Sequence, residues 1–206
     1  MLNINTYNAE FETDKYIRET FFPDFNYKGI MVEVGAGPPV FYSMSKHFRD
    51  CGWRAICVEP NPKFIKQHQK LGNEIHQYAC SNFEGETNFK IVSIYMPDGE
   101  KDHNGISYSA IDIKYEMSNY PIEEITVNVI KLDTLLDNLN VKQIDFLSID
   151  VEGWEIEVMK GFSVEKFNPK VILLENCKAD IGYITYMESL NYKLKHNINY
   201  NYIFTK

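Results

Sequence analysis

The sequence predicts an α/β domain with a doubly wound, mostly parallel sheet. Short apolar segments alternate with longer segments of helical pattern along most of the chain, and this alternation is typical of parallel strands joined by covering helices. Several apolar segments end in an acidic residue or a glycine, at 32–35, 56–59, 147–150 and 172–175. Ligands of such sheets bind outside the carboxyl ends of the strands, so we expect the functional residues there.

The predicted elements cover most of the 206 residues, enough for one domain. An N-terminal helical extension, 1–28, contains a helix near 14–22 that ends before Pro23. Strands are expected at 29–34, 54–58, 74–78, 87–95, 126–130, 144–149, 171–174, 192–196 and 200–204. Helices are expected at 38–51, with Pro38-Pro39 in the first turn, and at 62–71, 132–139, 153–160 and 179–190.

One long segment, 96–121, has no regular pattern. It is polar and contains glycines, tyrosines and His103. A stretch of this length inside a compact domain usually has a function. We expect it to close over a substrate and to line the pocket that receives it.

The composition narrows the classes of function. The net charge of −8 disfavours nucleic acid as a partner, because phosphate binding requires a surplus of Lys and Arg. No apolar run approaches ~18 residues, and residues 1–18 are too acidic for a secretion signal, so we expect no membrane insertion and a cytoplasmic location. The dispersed cysteines and histidines predict neither a zinc site nor a disulfide framework.

A glycine loop, Glu33-Val34-Gly35-Ala36-Gly37, follows the first predicted strand. Its two glycines allow a tight turn and a close approach of the backbone to a ligand. The Glu33 carboxylate can accept hydrogen bonds from a ligand ammonium, whereas it would repel a nearby phosphate. The alternative is a plain turn between strand and helix.

Glu59 ends the second strand, 22 residues after Gly37. This is close to the spacing of ~20 residues for the carboxylate that binds ribose hydroxyls. Pro60-Asn61-Pro62 then turns the chain beside the expected position of an adenine ring. The alternative is an ordinary surface carboxylate.

Further acids follow the two late strands. Asp150 and Glu152 come directly after the strand at 144–149, and Glu175 ends the next strand. They are candidates for a general base that orients a substrate hydroxyl, or for ligands of a divalent cation. Capping of the following helix is the alternative for Glu152, and we expect Glu155 and Glu157 to be surface acids that complement the helix dipole.

These residues lie in a longer set of segments that together resemble one known protein family. The segments are 32–37, 52–53, 57–62, 79–81, 84–85, 131–135, 144–153, 155–161 and 174–175. Together they resemble the FkbM family of methyltransferases, over about 29–176. The most specific part is Asp150-Val151-Glu152-Gly153 with the acidic helix that follows it.

The resemblance implies a Rossmann-like class I methyltransferase with a mostly parallel seven-stranded sheet and helices on both faces. It implies S-adenosylmethionine as methyl donor and a hydroxyl as acceptor. The identity of the acceptor does not follow from the resemblance, and we expect a small polar metabolite, sugar or glycan. The whole chain, 1–206, would be one methyltransferase domain, with 96–121 on the acceptor side.

The resemblance also implies roles for individual residues. The donor would be bound by Glu33, Gly35, Ala36, Gly37, Ser43, Glu59, Pro60, Asn61, Cys80 and Ser81. Asp150 would lie near the transferred methyl group, with Glu152 and Glu175 as further catalytic candidates. Ser43 is expected to compensate with its hydroxyl for Pro38-Pro39, where family members commonly have a small or polar residue and a glycine.

Two other functions remain open from the sequence. An NAD-dependent oxidoreductase would also use Glu59 for ribose, although the loop lacks the third glycine of the dinucleotide fingerprint. A non-catalytic binding module of the same fold is the second alternative. If the chain is a methyltransferase, a divalent cation is an alternative to a general base. Asp150 and Glu152 would hold this cation, with Glu175 as a third ligand, but the sequence does not establish that a cation binds.

Overall fold

The structure is a computed structural model and describes residues 6–93, 107–110 and 122–206. The strands, in chain order, are β1 Ile30–Val34, β2 Arg54–Val58, β3 Ile75–His76, β4 Ala79–Cys80, β5 Gly85–Ser93, β6 Ser107–Ala110, β7 Ile122–Ile130, β8 Phe146–Ile149, β9 Val171–Glu175, β10 Lys193–Ile198 and β11 Asn201–Thr205. A short 3₁₀ helix, Glu10–Glu12, precedes α1 Thr13–Phe21, α2 Met44–Asp50, α3 Pro62–Lys70, α4 Leu132–Asn138, α5 Glu155–Lys160, α6 Val164–Phe167 and α7 Ile181–Ser189.

Seven of the described strands form the main sheet, in the order β10-β11-β9-β8-β1-β2-β3. The five strands from β9 to β3 run parallel, and β11 and β10 add to the edge as an antiparallel pair. The predicted mostly parallel α/β fold is therefore confirmed. Because β1 and β8 are neighbours although distant in sequence, the strand order reverses at β1, and a crevice opens there.

Helices cover both faces of this sheet. Successive side chains of a strand point to opposite faces, and the strands carry apolar side chains on both. Val32 and Val34 of β1 belong to a buried core that includes side chains of α4 to α7. Met31 belongs to the core on the other face, with Ile17 of α1 and Phe48 of α2.

Four of the described strands form a second sheet, which the sequence analysis did not predict. β5 and β7 pair antiparallel over most of their lengths, and the sheet has the order β4-β7-β5-β6. Within the predicted loop 96–121, residues 107–110 form strand β6 on β5. The rest of that loop, including His103, lies outside the described residues.

Three helices begin later than predicted. The helix expected from Ala179 begins at Ile181, because Ala179 is left-handed, with a φ of 49°, and Asp180 is the N-cap. The helix expected from Pro38 begins at Met44, because residues 38–43 make a turn in which Tyr42 is left-handed, with a φ of 55°. The helix expected from Gly153 begins at Glu155, because Glu152 and Gly153 also have positive φ values, 60° and 96°. Among the described residues, no helix combines the length and apolar character needed to cross a membrane.

Candidate active site

A cavity lies at the carboxyl ends of β1, β2, β8 and β9. Its volume is about 230 Å³, far above the ~10–15 Å³ that a single water needs. It is lined by most of the predicted site residues, namely Glu33, Gly35, Ala36, Gly37, Glu59, Pro60, Cys80, Asp150, Glu152 and Glu175. The parallel strands thus bring these residues together as expected.

Three predicted donor-site residues lie behind the cavity wall. Ser43 is buried at the N-cap of α2, with its hydroxyl 3.4 Å from that of Ser45. Asn61 is buried and caps α3 by accepting a hydrogen bond from the backbone amide of Lys63. Ser81 is buried and accepts a hydrogen bond from Trp154 Nε1 at 3.1 Å. Each of these side chains has a protein partner, and donor binding by them stays a prediction. Trp154 itself lines the cavity.

The backbone amides of the glycine loop donate hydrogen bonds to other groups of the protein. The amides of Gly35 and Ala36 donate to the carbonyl of Val58 at 2.9 and 3.2 Å, and the amide of Gly37 donates to Glu59 Oε2 at 2.9 Å. Pro38 and Pro39, which follow, have no amide hydrogen. Residues 35–39 therefore offer no array of free N–H groups for a phosphate.

Gly35 fixes this loop against the end of β8. Its φ is +81°, and a Cβ built there would lie 1.7 Å from the carbonyl oxygen of Asp150. Only glycine permits both the left-handed backbone and this close approach. The two loops that follow β1 and β8 are thereby held in contact at the cavity floor.

Glu59 lines the cavity and also binds the backbone of the glycine loop. Its Oε1 accepts from the amide of Asn61 at 2.7 Å while its Oε2 accepts from Gly37. Burial raises the pKa of Glu59 to about 7, although the two backbone hydrogen bonds oppose this rise. Each carboxylate oxygen has a second lone-pair site, so Glu59 can still accept from ligand hydroxyls.

Glu33 connects β1 to the start of α2. Its Oε1 accepts from the backbone amide of Met44 at 3.0 Å, at the positive end of the helix. Its Oε2 lies 3.7 Å from Cys57 Sγ. Burial raises the pKa of Glu33, and hydrogen bonding to Ser45 and the charge of Arg49 oppose the rise.

Asp150 and Glu175 face each other from adjacent strands. Ile149 of β8 and Leu174 of β9 are partners in the parallel ladder. Asp150, which follows β8, and Glu175, the last residue of β9, therefore lie side by side. Their carboxyls are within reach of a hydrogen bond when one is protonated. Asp150 is an exposed residue of the cavity lining, and the protein around it raises its pKa to about 7. Burial and the neighbouring Asp150 and Glu152 raise the pKa of Glu175 further above its ordinary range.

Glu155 organises the loop that carries Asp150 and Glu152. It is fully buried, so the prediction of a surface acid is wrong. Its Oε1 accepts from the amides of Val151 at 3.0 Å and Gly153 at 2.9 Å, and its Oε2 accepts from the Tyr183 hydroxyl at 2.5 Å.

Glu152 instead lines the cavity. Burial and the nearby Asp150, Glu155 and Glu10 raise its pKa to about 8. The amides before α5 are bound by Glu155, which takes the local role that the helix-capping alternative gave to Glu152.

Three segments remote in sequence complete the cavity. Glu10 of the 3₁₀ helix accepts a hydrogen bond from the Tyr200 hydroxyl, and both residues line the cavity. Ala9 pairs with Tyr42 in an isolated bridge, and both also line it. The rule that functional residues follow strands could not find these residues, since Glu10 lies before β1 and Tyr200 in the turn before β11.

The cavity is strongly acidic. Six carboxyl groups line it, from Glu10, Glu33, Glu59, Asp150, Glu152 and Glu175, and its described lining includes no Lys, Arg or His. Aromatic side chains provide an apolar portion, namely Phe41, Tyr42, Phe64, Tyr78, Phe89, Trp154 and Tyr200. Such a site favours a ligand that carries positive charge together with a planar ring.

Comparisons with known proteins identify the family. The model of the methyltransferase FkbM domain matches residues 33–194. The crystal structure of the methyltransferase FkbM from Methylobacillus flagellatus is similar over 91% of this chain, with a TM-score of 0.54 and 13% identity. This chain covers 47% of that protein, about half its length.

A second solved structure, a precorrin-6y C5,15-methyltransferase from Geobacter metallireducens, matches 97% of this chain and 92% of its own, with a TM-score of 0.47 and 12% identity. The likeness in fold to the Methylobacillus protein and the extent of the domain match agree with the topology of the main sheet. The chain belongs to the FkbM family of methyltransferases.

Proposed function

We propose that this chain transfers the methyl group of S-adenosylmethionine to a hydroxyl of a small polar metabolite, sugar or glycan. The observation that carries the proposal is the acidic cavity at the carboxyl edge of the sheet, whose described lining has no basic side chain. S-adenosylmethionine carries a sulfonium and an ammonium cation, and methyltransferases of this family generally use it. The acids therefore match the charge of the donor.

The residues present fit the parts of the donor. Glu59 is suited to the ribose hydroxyls and Glu33 to the ammonium, while Phe64 and Tyr78 offer apolar surface for the adenine. The loop amides are occupied, so we assign the amino-acid carboxylate to the hydroxyl of Tyr42 at the same wall. When bound, the donor supplies a methyl group on a positively charged sulfur.

Asp150 is the residue that we assign to the acceptor proton. Its carboxyl faces the cavity, and its pKa of about 7 suits a base that works near neutrality. Glu175 beside it can keep one proton between the two carboxyls, as in other close carboxylate pairs. Positioning of the acceptor and exclusion of water by the cavity walls would supply much of the remaining acceleration.

The N-terminal residues belong to the same proposed unit. Glu10 lines the cavity and Ile17 lies in the core under the sheet, which supports one domain over 1–206. The acceptor-side role of 96–121 remains a prediction.

The glycine loop weighs against the oxidoreductase. A dinucleotide places its pyrophosphate on free backbone amides at a helix N-terminus. Here the amides of Gly35, Ala36 and Gly37 have partners, and Pro38 has none to offer. The buried acids at several strand ends likewise favour a ligand site over a non-catalytic module.

Calorimetric titration with S-adenosylhomocysteine tests the proposal. Glu59→Gln keeps the size of the side chain but removes its charge, and we expect it to weaken binding by about 1–3 kcal/mol, the loss typical for hydrogen bonds to a charged acceptor. Glu157→Gln is the matched control, since Glu157 lies on α5 and bonds to Asn82 and Lys160 outside the cavity. Absence of heat and of thermal stabilisation with the wild-type protein would show that the proposal is wrong.

A further inference from the structure

Asp150, Glu155 and Glu175 form a three-carboxylate group, in which Asp150 and Glu175 line the cavity and Glu155 is buried beside them. One oxygen of each lies within 4.8 Å of the others. Asp150 and Glu175 come from the ends of adjacent strands, and Glu155 comes from the first turn of α5. Glu152, which the sequence suggested as a cation ligand, is not in this group among the described residues.

Glu175 provides the second observation. Its side chain is only 7% exposed, and its Oε2 has no hydrogen-bond partner among the described residues. A buried anionic oxygen without a donor is costly unless a charge or a proton compensates it. The other members of the group are also carboxylates, so they increase this cost.

We infer that the three-carboxylate group binds one divalent cation of the hard, oxygen-preferring type, such as Mn²⁺, Mg²⁺ or Ca²⁺. The inference rests on the proposed function, since the ion would sit in the same site. The ligand atoms are all carboxylate oxygens, the preference of these ions and not of zinc or copper. Because these oxygens all lie within 4.8 Å of one another, a single ion with bonds of about 2.0–2.6 Å can contact all three.

The surroundings of Glu155 hold that ligand in place. Its carboxylate accepts from the amides of Val151 and Gly153 and from the Tyr183 hydroxyl. A carboxylate has about four lone-pair sites, so one remains for an ion. Partners of this kind orient metal ligands.

The ion would change the role of Asp150. Without it, Asp150 and Glu175 share a proton and Asp150 is available as a base. With it, both carboxylates are ligands, and an acceptor hydroxyl bound to the ion becomes more acidic.

Mn²⁺ binding to the chain of 206 residues, freed of metal with a chelator, tests the inference. Electron paramagnetic resonance should show one Mn²⁺ bound per chain, displaced by Mg²⁺ or Ca²⁺. Glu175→Gln should weaken Mn²⁺ binding at least about tenfold, because it removes the charge of one ligand. Glu157→Gln, on the same helix but outside the group, should bind Mn²⁺ as the wild type does.

Thermal unfolding of the same samples shows whether the variant is folded. Mn²⁺ should raise the Tm of the wild type and leave that of Glu175→Gln unchanged. Without metal, Glu175→Gln should melt at or above the wild-type temperature, because a repulsive carboxylate is gone. Wild-type protein that binds no Mn²⁺ at millimolar concentration, or a Glu175→Gln variant that binds it equally well, would overturn the inference.

S-adenosylhomocysteine binding separates this inference from the proposed function. Binding of S-adenosylhomocysteine without any Mn²⁺ site rejects the cation and leaves the proposed donor site intact. Binding of Mn²⁺ without S-adenosylhomocysteine supports the cation site and rejects the proposed function.

Discussion

The two ends of strand β8 carry aspartates with opposite surroundings. Asp145, just before the strand, accepts hydrogen bonds from the Tyr27 hydroxyl at 2.7 Å and the Ile30 amide at 3.0 Å, and it pairs with Lys170 Nζ at 2.9 Å. Burial would raise the pKa of Asp145, but these three partners outweigh it and lower the pKa. The protein itself compensates this charge.

Asp150, just after the strand, has no such partners. Burial raises its pKa, and the nearby charges of Glu155, Glu10 and Glu33 raise it further. Hydrogen bonding with Glu175 compensates only in part. The protein thus compensates the charge of Asp145 at the amino end of the strand, whereas the charge of Asp150 at the carboxyl end agrees with our proposal of a cationic ligand.

Catalysis should separate the two aspartates most strongly. Asp150→Asn keeps the shape but removes the charge, so turnover should fall ~10²-fold or more with little change in donor affinity. Asp145→Asn should retain the turnover of the folded enzyme. The assay is transfer of a radiolabelled methyl group to an acceptor found by screening sugars, glycans and polar metabolites. Normal turnover by Asp150→Asn would move attention to Glu152, Glu175 and His103.

The two substitutions should affect the free energy of unfolding in the reverse order, with the larger loss in Asp145→Asn. Asp145→Asn weakens three compensating contacts of a buried charge, so the free energy of unfolding should fall by about 2–3 kcal/mol. Asp150→Asn removes a charge that the charges of Glu155, Glu10 and Glu33 disfavour, so its stability should equal or exceed that of the wild type. Urea unfolding of both variants measures this, and an equal loss in both would contradict the comparison.

The pH dependence of stability should reveal the uncompensated acids. Burial raises the pKa of Glu59 and Asp150 to about 7 and that of Glu152 to about 8. Each of these groups therefore binds more protons in the folded protein than in the unfolded chain between about pH 4 and pH 8, so its contribution to the free energy of unfolding falls as pH rises through this window. Buried His68, whose pKa is lowered from 6.5 to about 4, acts in the opposite sense below about pH 6.5. Asp145, whose pKa is lowered, contributes in the opposite sense only in more acidic solution.

Thermal unfolding between about pH 6.5 and pH 8, above the range in which His68 contributes, checks this. The Tm of the protein without ligand should fall toward pH 8, and Glu152→Gln should reduce the fall because that group no longer titrates. A Tm that is constant or rises over this range would show that the cavity acids are compensated within the protein.

The carboxyl end of the sheet was the part of the site that the sequence predicted well. Glu33, Glu59, Asp150 and Glu175 all follow or end parallel strands, and parallel strands bring their carboxyl ends to one edge. Local pattern is enough for this inference, because it requires only the strands and their direction.

Residues brought in by distant segments could not be predicted in the same way. Glu10 and Tyr200 meet only through tertiary packing, far apart in the chain. Glu155 has the position of an ordinary first-turn acid in sequence, and its burial depends on Tyr183 of α7. The late start of α2 depends on the left-handed Tyr42 and on Glu33 binding the amide of Met44.

If the acidic cavity binds the cationic methyl donor, parallel titrations with S-adenosylhomocysteine and NAD will distinguish this site from a dinucleotide site. S-adenosylhomocysteine retains the ammonium of the donor, so it should bind, and more tightly at pH 8 than at pH 6 as the cavity acids ionise. NAD should give no heat, because its pyrophosphate meets carboxylates and occupied loop amides. Binding of NAD in place of S-adenosylhomocysteine, or of neither ligand, would contradict the account.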